Sequence, residues 1–165
     1  MWYVVSVVAV VVALATYLTW IATRVDRLHA RAAAARVALD AQSTRRAAAA
    51  VELGEREDLQ EAREAARAVL AAHTSADGDL LARAEAENRL TKILRQAAEQ
   101  FDADTLADVS ETSRRLALAR QVHSDRVRDA RAMRRRRLVR WLRLSRRHTT
   151  PEFFDIEDPA LEIAR

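Results

Sequence analysis

The N-terminal apolar run constrains this chain more than any other stretch, because it decides which solvent surrounds the first helix. Trp2 to Ala22 contains no charged residue and is rich in Val, Ala, Leu and Ile. About twenty apolar residues are the length of a helix that crosses the hydrocarbon core of a bilayer. Amphipathic rings favour the two membrane–water interfaces, and aromatic residues flank this run on both sides: Trp2, Tyr3, Tyr17 and Trp20. The sequence therefore predicts a transmembrane anchor over residues 1–23.

The alternative interpretation of this run is a cleaved signal peptide. Ala13-Leu14-Ala15 has the small residues of a cleavage site, but no Lys or Arg precedes the run and the run continues to Ala22. Basic residues follow the run, and basic flanks stay in the cytoplasm. We therefore expect a single-pass protein of the plasma membrane, with its N-terminus outside and its main domain cytoplasmic.

The rest of the chain has the composition of long helices. It is rich in Ala and Arg, whereas the whole chain of 165 residues has only two Gly and two Pro. A coiled-coil-like seam of small, apolar and two polar residues begins after Arg24, with steps of three and four. Its expected positions are Val25, Leu28, Ala32, Ala35, Leu39, Gln42, Arg46, Ala49 and Leu53. Nothing between Ala22 and Val25 would break a helix, so the anchor should continue into this first cytoplasmic helix.

Three breaks divide the remaining sequence into helices. We expect helix one to end at Gly54, helix two to run from about Asp58 to Ala72, and Asp79 to cap helix three. Asp102 or Asp104 should cap a fourth helix that continues to near Arg143. Short connections favour antiparallel neighbours. The predicted fold is all-α: the anchor helix continues into an antiparallel up-down-up-down four-helix bundle over 24–143, followed by a basic-then-acidic flexible tail over 144–165. The end of helix four should then return to the bilayer surface.

Several segments together resemble the LemA family, in the variant found in high-GC Gram-positive bacteria. The segments are Arg24-Val25-Asp26-Arg27-Leu28-His29-Ala30-Arg31, Ala38-Leu39-Asp40-Ala41-Gln42, Arg45-Arg46, Glu87-Asn88-Arg89-Leu90, Leu94, Leu116-Ala117-Leu118-Ala119-Arg120, Asp125, Val127 and Phe153-Phe154-Asp155-Ile156-Glu157-Asp158. The resemblance implies a membrane-anchored antiparallel helical bundle. The chain departs from the family's pattern at Ser113, where Glu is usual, and at His123-Ser124, where Tyr-Asn is usual.

Motifs for catalysis, metal or cofactor binding do not emerge from the sequence. Cys is absent, which excludes disulfides, zinc–thiolate sites and Cys nucleophiles. No Glu-x-x-His of a di-metal bundle occurs, and Asp26-x-x-His29 is the nearest spacing. Ser124 cannot face His123 from the same helix, so a Ser–His pair is unsupported. We expect no catalytic residue, no metal, no cofactor and no enzymatic activity.

Arg46 and Arg120 interrupt apolar seams. Glu87 or Glu99 of helix three could pair with one of them. Burying a charge costs much free energy, so the favoured interpretation places both arginines at the bundle edge with their heads in water.

An arginine-rich block covers residues 131–147, with nine Arg, no acidic residue and interleaved Leu, Val and Trp. Anionic headgroup binding fits the return of helix four to the bilayer, and each charge near such a surface gains about 1 kcal/mol. The expected membrane-surface residues are Arg134, Arg135, Arg136, Arg137, Arg140, Trp141 and Arg143. Nucleic-acid binding fits charge alone, without a base-reading motif. The third interpretation is a solvated face, or one neutralised by the acidic tail.

The function predicted from the sequence is a non-enzymatic membrane scaffold or adaptor. Its expected partners are the lipid bilayer, anionic headgroups and a protein that docks on helix faces and on the Phe153–Ile156 segment; homo-oligomers are compatible with the alanine seams. The alternative is a membrane-tethered regulator that binds nucleic acid through Arg131–Arg147.

Overall fold

The computed structural model describes residues 1–75, 79–135, 154 and 156–161. Its described residues form four α-helices and no strand. The helices are α1 (Trp2–Arg56), α2 (Gln60–Thr74), α3 (Leu80–Ala98) and α4 (Ala107–Arg134). The prediction of an all-α fold with one long apolar N-terminal helix is confirmed. The chain forms two compact units: an anchor unit (Met1–Ala34 and Asp125–Glu152) and a bundle unit (Ala35–Ser124 and Phe153–Arg165).

The core of the bundle unit draws on all four helices. Its largest cluster joins the C-terminal part of α1 to the N-terminal part of α2, the C-terminal part of α3 and the start of α4. The fully buried members are Ala47, Ala50, Leu53, Ala65, Ala66, Val69, Leu90, Leu94, Leu106 and Val109. Opposite ends of successive helices therefore meet, which is the antiparallel up-down-up-down arrangement expected from short connections.

The buried stripe of α1 repeats every seven residues, but three of its inward positions differ from the prediction. Val25, Ala32, Leu39 and Leu53 are buried as expected. Arg46 is buried too, although its favoured interpretation placed the head of its side chain in water. Between them, the inward positions are His29, Ser43 and Ala50 rather than the predicted Leu28, Gln42 and Ala49. The prediction placed these intermediate positions three residues after a core position, whereas the helix buries the residue four positions after it. The buried face of α1 is therefore more polar than its sequence suggested.

The predicted helix boundaries agree with the structure at some positions and differ from it at others. The Asp79 side chain accepts a hydrogen bond from the Leu81 amide at 2.9 Å, which confirms it as the cap of α3. Asp102 accepts one from the Thr105 amide at 2.8 Å in the turn before α4. Asp58 was expected to start α2 but has a φ of 53°, in the left-handed region that ends helices, and α2 begins at Gln60.

Gly54 lies in the last turn of α1, close to the backbone around the start of α2. A Cβ atom at this position would stand 2.9 Å from the Leu59 carbonyl oxygen and 3.1 Å from the Arg63 amide nitrogen. Both neighbours are backbone atoms, which a side chain cannot displace cheaply. The glycine therefore permits the tight connection between α1 and α2, although α1 continues two residues further than predicted, to Arg56.

The anchor unit contains the apolar run. The valines from Val4 to Val12 are 55–66% exposed. Among the described residues, α1 is the one helix long and apolar enough to cross a membrane, a property that a signal sequence near an N-terminus shares. At the end of the run, Ile21 and Val25 are buried against Met133 of α4, with Leu28 beside them. This small cluster holds α4 against α1 at the last turn of the apolar run.

Candidate functional site

The aromatic residues at the end of the apolar run are linked to the first arginine after it. The rings of Tyr17 and Trp20 stack with centroids 6.3 Å apart, and the Arg24 guanidinium lies 5.5 Å from the Trp20 centroid. Both distances are favourable for ring stacking and for a cation–π contact. Trp2 and Tyr3, at the other end, are 83% and 85% exposed. The four predicted interface residues thus form two exposed groups, separated along α1 by the valine-rich segment.

The C-terminal end of α4 carries the first predicted membrane-surface arginines. Arg135 is exposed and Arg134 is half-buried, directly after the buried Met133. Because Met133 packs on Ile21 and Val25, both arginines follow the point where α4 meets the last turn of the apolar run. The remaining predicted residues, Arg136, Arg137, Arg140, Trp141 and Arg143, lie outside the described residues, as does the predicted end of helix four near Arg143.

A polar network occupies the interior of the bundle unit, centred on Arg46 of α1. Arg46 Nη1 donates to Glu87 Oε2 at 3.0 Å, Nη2 donates to Thr91 Oγ1 at 3.0 Å, and Nε donates to Ser113 Oγ at 3.1 Å. The Ser43 hydroxyl donates to the other carboxylate oxygen of Glu87. All five residues are at most 1% exposed. Side chains of α1, α3 and α4 therefore meet around one buried guanidinium.

The charges of this network are balanced but desolvated. Burial lowers the pKa of the Arg46 guanidinium from its usual value, and the Glu87 carboxylate partly opposes this effect. An arginine keeps its proton in proteins, so the pair is a buried ion pair with its hydrogen-bonding groups directed at polar partners. Such pairs contribute little net stability but are costly to break by removing one member. The network thus favours one relative alignment of α1, α3 and α4.

The favoured sequence interpretation of Arg46 was wrong, and the alternative pairing with Glu87 is confirmed. Arg46 does not extend to water, because Glu87, Thr91 and Ser113 replace the hydration of its guanidinium. Arg120, the other seam arginine, is half-buried. Sequence reasoning missed Ser43 and Thr91. Their spacing was the available signal, since Ser43 lies three residues from Arg46 and Thr91 lies four residues after Glu87.

A second polar cluster of the bundle unit surrounds Asp40. Its carboxylate lies 3.8 Å from His73 Nε2, 3.9 Å from Arg36 Nε and 4.0 Å from Arg83 Nη1. His73 Nδ1 lies 3.0 Å from the Val69 carbonyl oxygen. Arg83 also donates to the carbonyl oxygens of Ala72 and His73 at the end of α2. The cluster therefore connects α1 to the α2–α3 connection through charge and helix-end contacts.

His123 of α4 is buried near the same cluster. It is 2% exposed, and its Nδ1 atom has no hydrogen-bond partner. Desolvation lowers the pKa of this imidazole, the nearby Arg36 charge lowers it further, and Asp40 opposes the change. His123 is therefore held in its neutral form near pH 7. No described group of His, Asp or Glu could hold a metal ion.

The extended segment 154 and 156–161, which we call the C-terminal strap, packs on the bundle unit. Phe154 and Ile156 are 6% and 3% exposed and form one cluster with Leu39, Ala84 and Leu116. The expectation that Phe153–Ile156 is presented to a partner is wrong for these two residues, because their side chains complete the core. Phe153 itself lies outside the described residues. Sequence reasoning missed this packing because an acidic context is typical of a solvated tail.

Together these features show that the helical elements of the described residues include one candidate membrane-spanning helix and enclose a buried polar network. Comparison of the chain with protein-family models, curated proteins and solved structures finds no match.

Proposed function

We propose that this protein is a non-enzymatic scaffold of the bacterial plasma membrane, anchored by the first part of α1, with the arginine-rich end of α4 on anionic headgroups. The observation that carries the proposal is the contact of Met133 with Ile21 and Val25. Ala22 ends the apolar run, so this contact supports a position for Arg134 and Arg135 close to the membrane boundary. The resemblance to the LemA family supports the same membrane-anchored bundle, and we propose membership of that family.

Two described carboxylates of the acidic segment already have partners in the bundle unit. Glu157 pairs with Arg95 of α3 at 3.2 Å, and the Asp158 carboxylate accepts from the Ala160 amide at 3.0 Å.

The proposed orientation has the N-terminus outside and the bundle unit in the cytoplasm. The basic residues that follow the apolar run support it, because positively charged flanks stay inside. A Cys replacing the exposed Val37 should then be protected from an impermeant maleimide on intact cells, and labelling of that Cys would contradict the orientation. The scaffold role is supported by two exposed apolar side chains four residues apart on α4, Leu118 and Val122, which offer a helix face to a protein partner.

The experiment that tests the headgroup proposal uses the full chain in vesicles. The chain lacks Cys, so a Thr23→Cys variant carries a single dye at an exposed position just after the apolar run. Energy transfer from traces of labelled phosphatidylglycerol or labelled phosphatidylcholine then reports which lipid surrounds the protein. We expect more transfer from phosphatidylglycerol, since each basic charge at an anionic surface gains about 1 kcal/mol.

Changing Arg134, Arg135, Arg136 and Arg137 to Gln should abolish most of this preference. The matched control changes four exposed arginines of the bundle unit, Arg45, Arg67, Arg114 and Arg115, to Gln and should keep the preference. Equal transfer from the two lipids in the unmodified chain would reject headgroup binding. Salt-dependent retention of the solubilised chain on DNA, lost in the same four-residue variant, would then favour the nucleic-acid alternative.

A further inference from the structure

Two aromatic residues and three arginines share one face of α1 at the end of the apolar run. They are Tyr17, Trp20, Arg24, Arg27 and Arg31, which follow one another in steps of three and four residues. We call this set the aromatic–arginine stripe. All five residues are exposed. Within the part of the chain that the structure describes, no ion pair involves one of these three arginines. The stripe therefore presents positive charge without a described counter-ion.

Two of the arginines are held in place by contacts within the helix. The Arg24 guanidinium lies over the Trp20 ring, 5.5 Å from its centroid. A guanidinium stacked in this way keeps its in-plane N–H groups for other partners. Arg27 donates from Nε to the Thr23 carbonyl oxygen at 3.2 Å, which leaves its two Nη groups. Because both side chains are already ordered, they can bind one anion at a reduced cost in side-chain entropy.

The chemistry and the depth of the stripe point to a lipid phosphate. The planar fork of N–H groups on a guanidinium matches two oxygens of a phosphate. Amphipathic rings favour the headgroup level of a bilayer, and the stacked rings of Tyr17 and Trp20 lie one turn before Arg24. Ala22 ends the apolar run two residues before Arg24. In the proposed membrane position, an anion held by Arg24 and Arg27 would therefore lie among the headgroups.

We propose that the aromatic–arginine stripe binds the phosphate of one anionic phospholipid. Arg24 and Arg27 donate to the phosphate oxygens, and the rings of Tyr17 and Trp20 lie against the glycerol and the start of the acyl chains. Arg31 adds a third positive charge on the same face, which disfavours a headgroup that carries choline. This site rests on the proposed membrane anchoring, but it lies on α1 and does not depend on headgroup binding by the arginine block of α4.

Quenching of Trp20 by brominated lipids tests the proposal with the full chain in phosphatidylcholine vesicles. The chain has three Trp, so Trp2→Phe and Trp141→Phe leave Trp20 as the only one. A trace of phosphatidylglycerol or of phosphatidylcholine carries bromine near the start of its acyl chains. Bromine quenches tryptophan only at close contact, so it reports the lipid beside Trp20 and not all the lipids around the protein. We expect several-fold stronger quenching by the brominated phosphatidylglycerol.

Arginine variants separate the geometry of the site from its charge. Arg24→Gln with Arg27→Gln should remove the preference, whereas the control change of two exposed arginines of the bundle unit, Arg45→Gln with Arg67→Gln, should keep it. Arg24→Lys with Arg27→Lys keeps both charges but loses the planar forks, so it should lose most of the preference. Full preference in the lysine variant would show that charge alone attracts the lipid, and would overturn the proposed site.

Two further measurements distinguish this site from its alternatives. In a chain whose block arginines 134–137 are changed to Gln, Trp20 should still be quenched more by phosphatidylglycerol; loss of the preference there would assign the lipid to the block. Inorganic phosphate, compared with chloride at equal ionic strength, should leave the preference unchanged, and its loss would assign the stripe to a soluble phosphate. Quenching by neither lipid would reject the membrane anchoring itself, and this site with it.

Discussion

The two parts of α1 place their side chains in opposite ways. In the anchor unit, the valines from Val4 to Val12 are 55–66% exposed. In the bundle unit, the same helix buries Arg46 completely. Hydrophobicity alone therefore does not decide which side chains are buried in the protein. Burial also depends on whether neighbouring groups satisfy the side chain. Lipid is expected to surround the valines, whereas Glu87, Thr91 and Ser113 surround the guanidinium.

The largest expected effect is on the stability of the fold, and it comes from removing the buried charge of Arg46. Arg46→Met should lower the free energy of unfolding by about 3–5 kcal/mol, because it leaves the Glu87 carboxylate buried without its partner. Denaturant unfolding of the full chain in detergent micelles, followed by circular dichroism, measures the change. Arg67→Met is the matched control, since Arg67 is 63% exposed in its pair with Glu55 and should cost at most about 1 kcal/mol.

A double change separates the two contributions to that loss. Arg46→Met with Glu87→Met removes both charges and should recover most of the stability, because an apolar replacement of a buried ion pair is often neutral. If the double variant is as unstable as Arg46→Met alone, the buried carboxylate is not the cause of the loss.

A smaller effect is expected on membrane insertion, and it tests the apolar N-terminal part of α1. Val12 and Val37 are 58% and 69% exposed on the same helix, but only Val12 lies in the predicted membrane span. Val12→Arg should disfavour membrane insertion by about 2.5–3.5 kcal/mol, whereas Val37→Arg should leave it unchanged. The fraction of each variant that resists alkaline extraction from membranes measures insertion. Similar extraction of the two variants would indicate that both valines face water.

The smallest effect concerns the buried imidazole of the bundle unit. The pKa of His123 is lowered in the folded state by desolvation and by Arg36, so the unfolded chain binds more protons below its ordinary pKa of about 6.5. Stability should be full above that pH and fall as the pH decreases toward the lowered folded value. One proton gives a slope of at most about 1.4 kcal/mol per pH unit.

Unfolding is measured between pH 7.5 and pH 5.5, a range chosen to stay above most carboxylate pKa values, and the comparison with a His123→Leu variant isolates this contribution. His123→Leu should reduce the slope while leaving Phe154 and the rest of the core in place. An unchanged slope in this variant would assign the acid sensitivity to other groups.

The sequence was sufficient for the parts of the fold that depend on local patterns. The seven-residue repeat of Val25, Ala32 and Leu39 and the cap at Asp79 follow from spacing and from backbone hydrogen bonding within one turn. The all-helical class follows from the same patterns. None of these requires knowledge of which helix lies opposite.

The polar interior and the strap depend on long-range partners, which spacing within one helix does not reveal. Ser43 is a poor core residue until Glu87 of α3 accepts a hydrogen bond from its hydroxyl group. Phe154 stands in an acidic context and was expected to be presented to a protein partner, yet Leu39 and Leu116 supply an apolar site for it. In both cases, the partner is more than 35 residues away in the sequence, and its identity decides the burial.

The polar layer around Arg46 also restricts the motions available to the bundle. Sliding α3 by one turn, about 5.4 Å, would take Glu87 away from the guanidinium and bring apolar side chains such as Leu90 toward it. Gradual shear between these helices is therefore opposed by a large barrier. A mechanical or chemical signal that reaches the bundle would have to pass through it as a rigid body, or act on peripheral elements such as the strap.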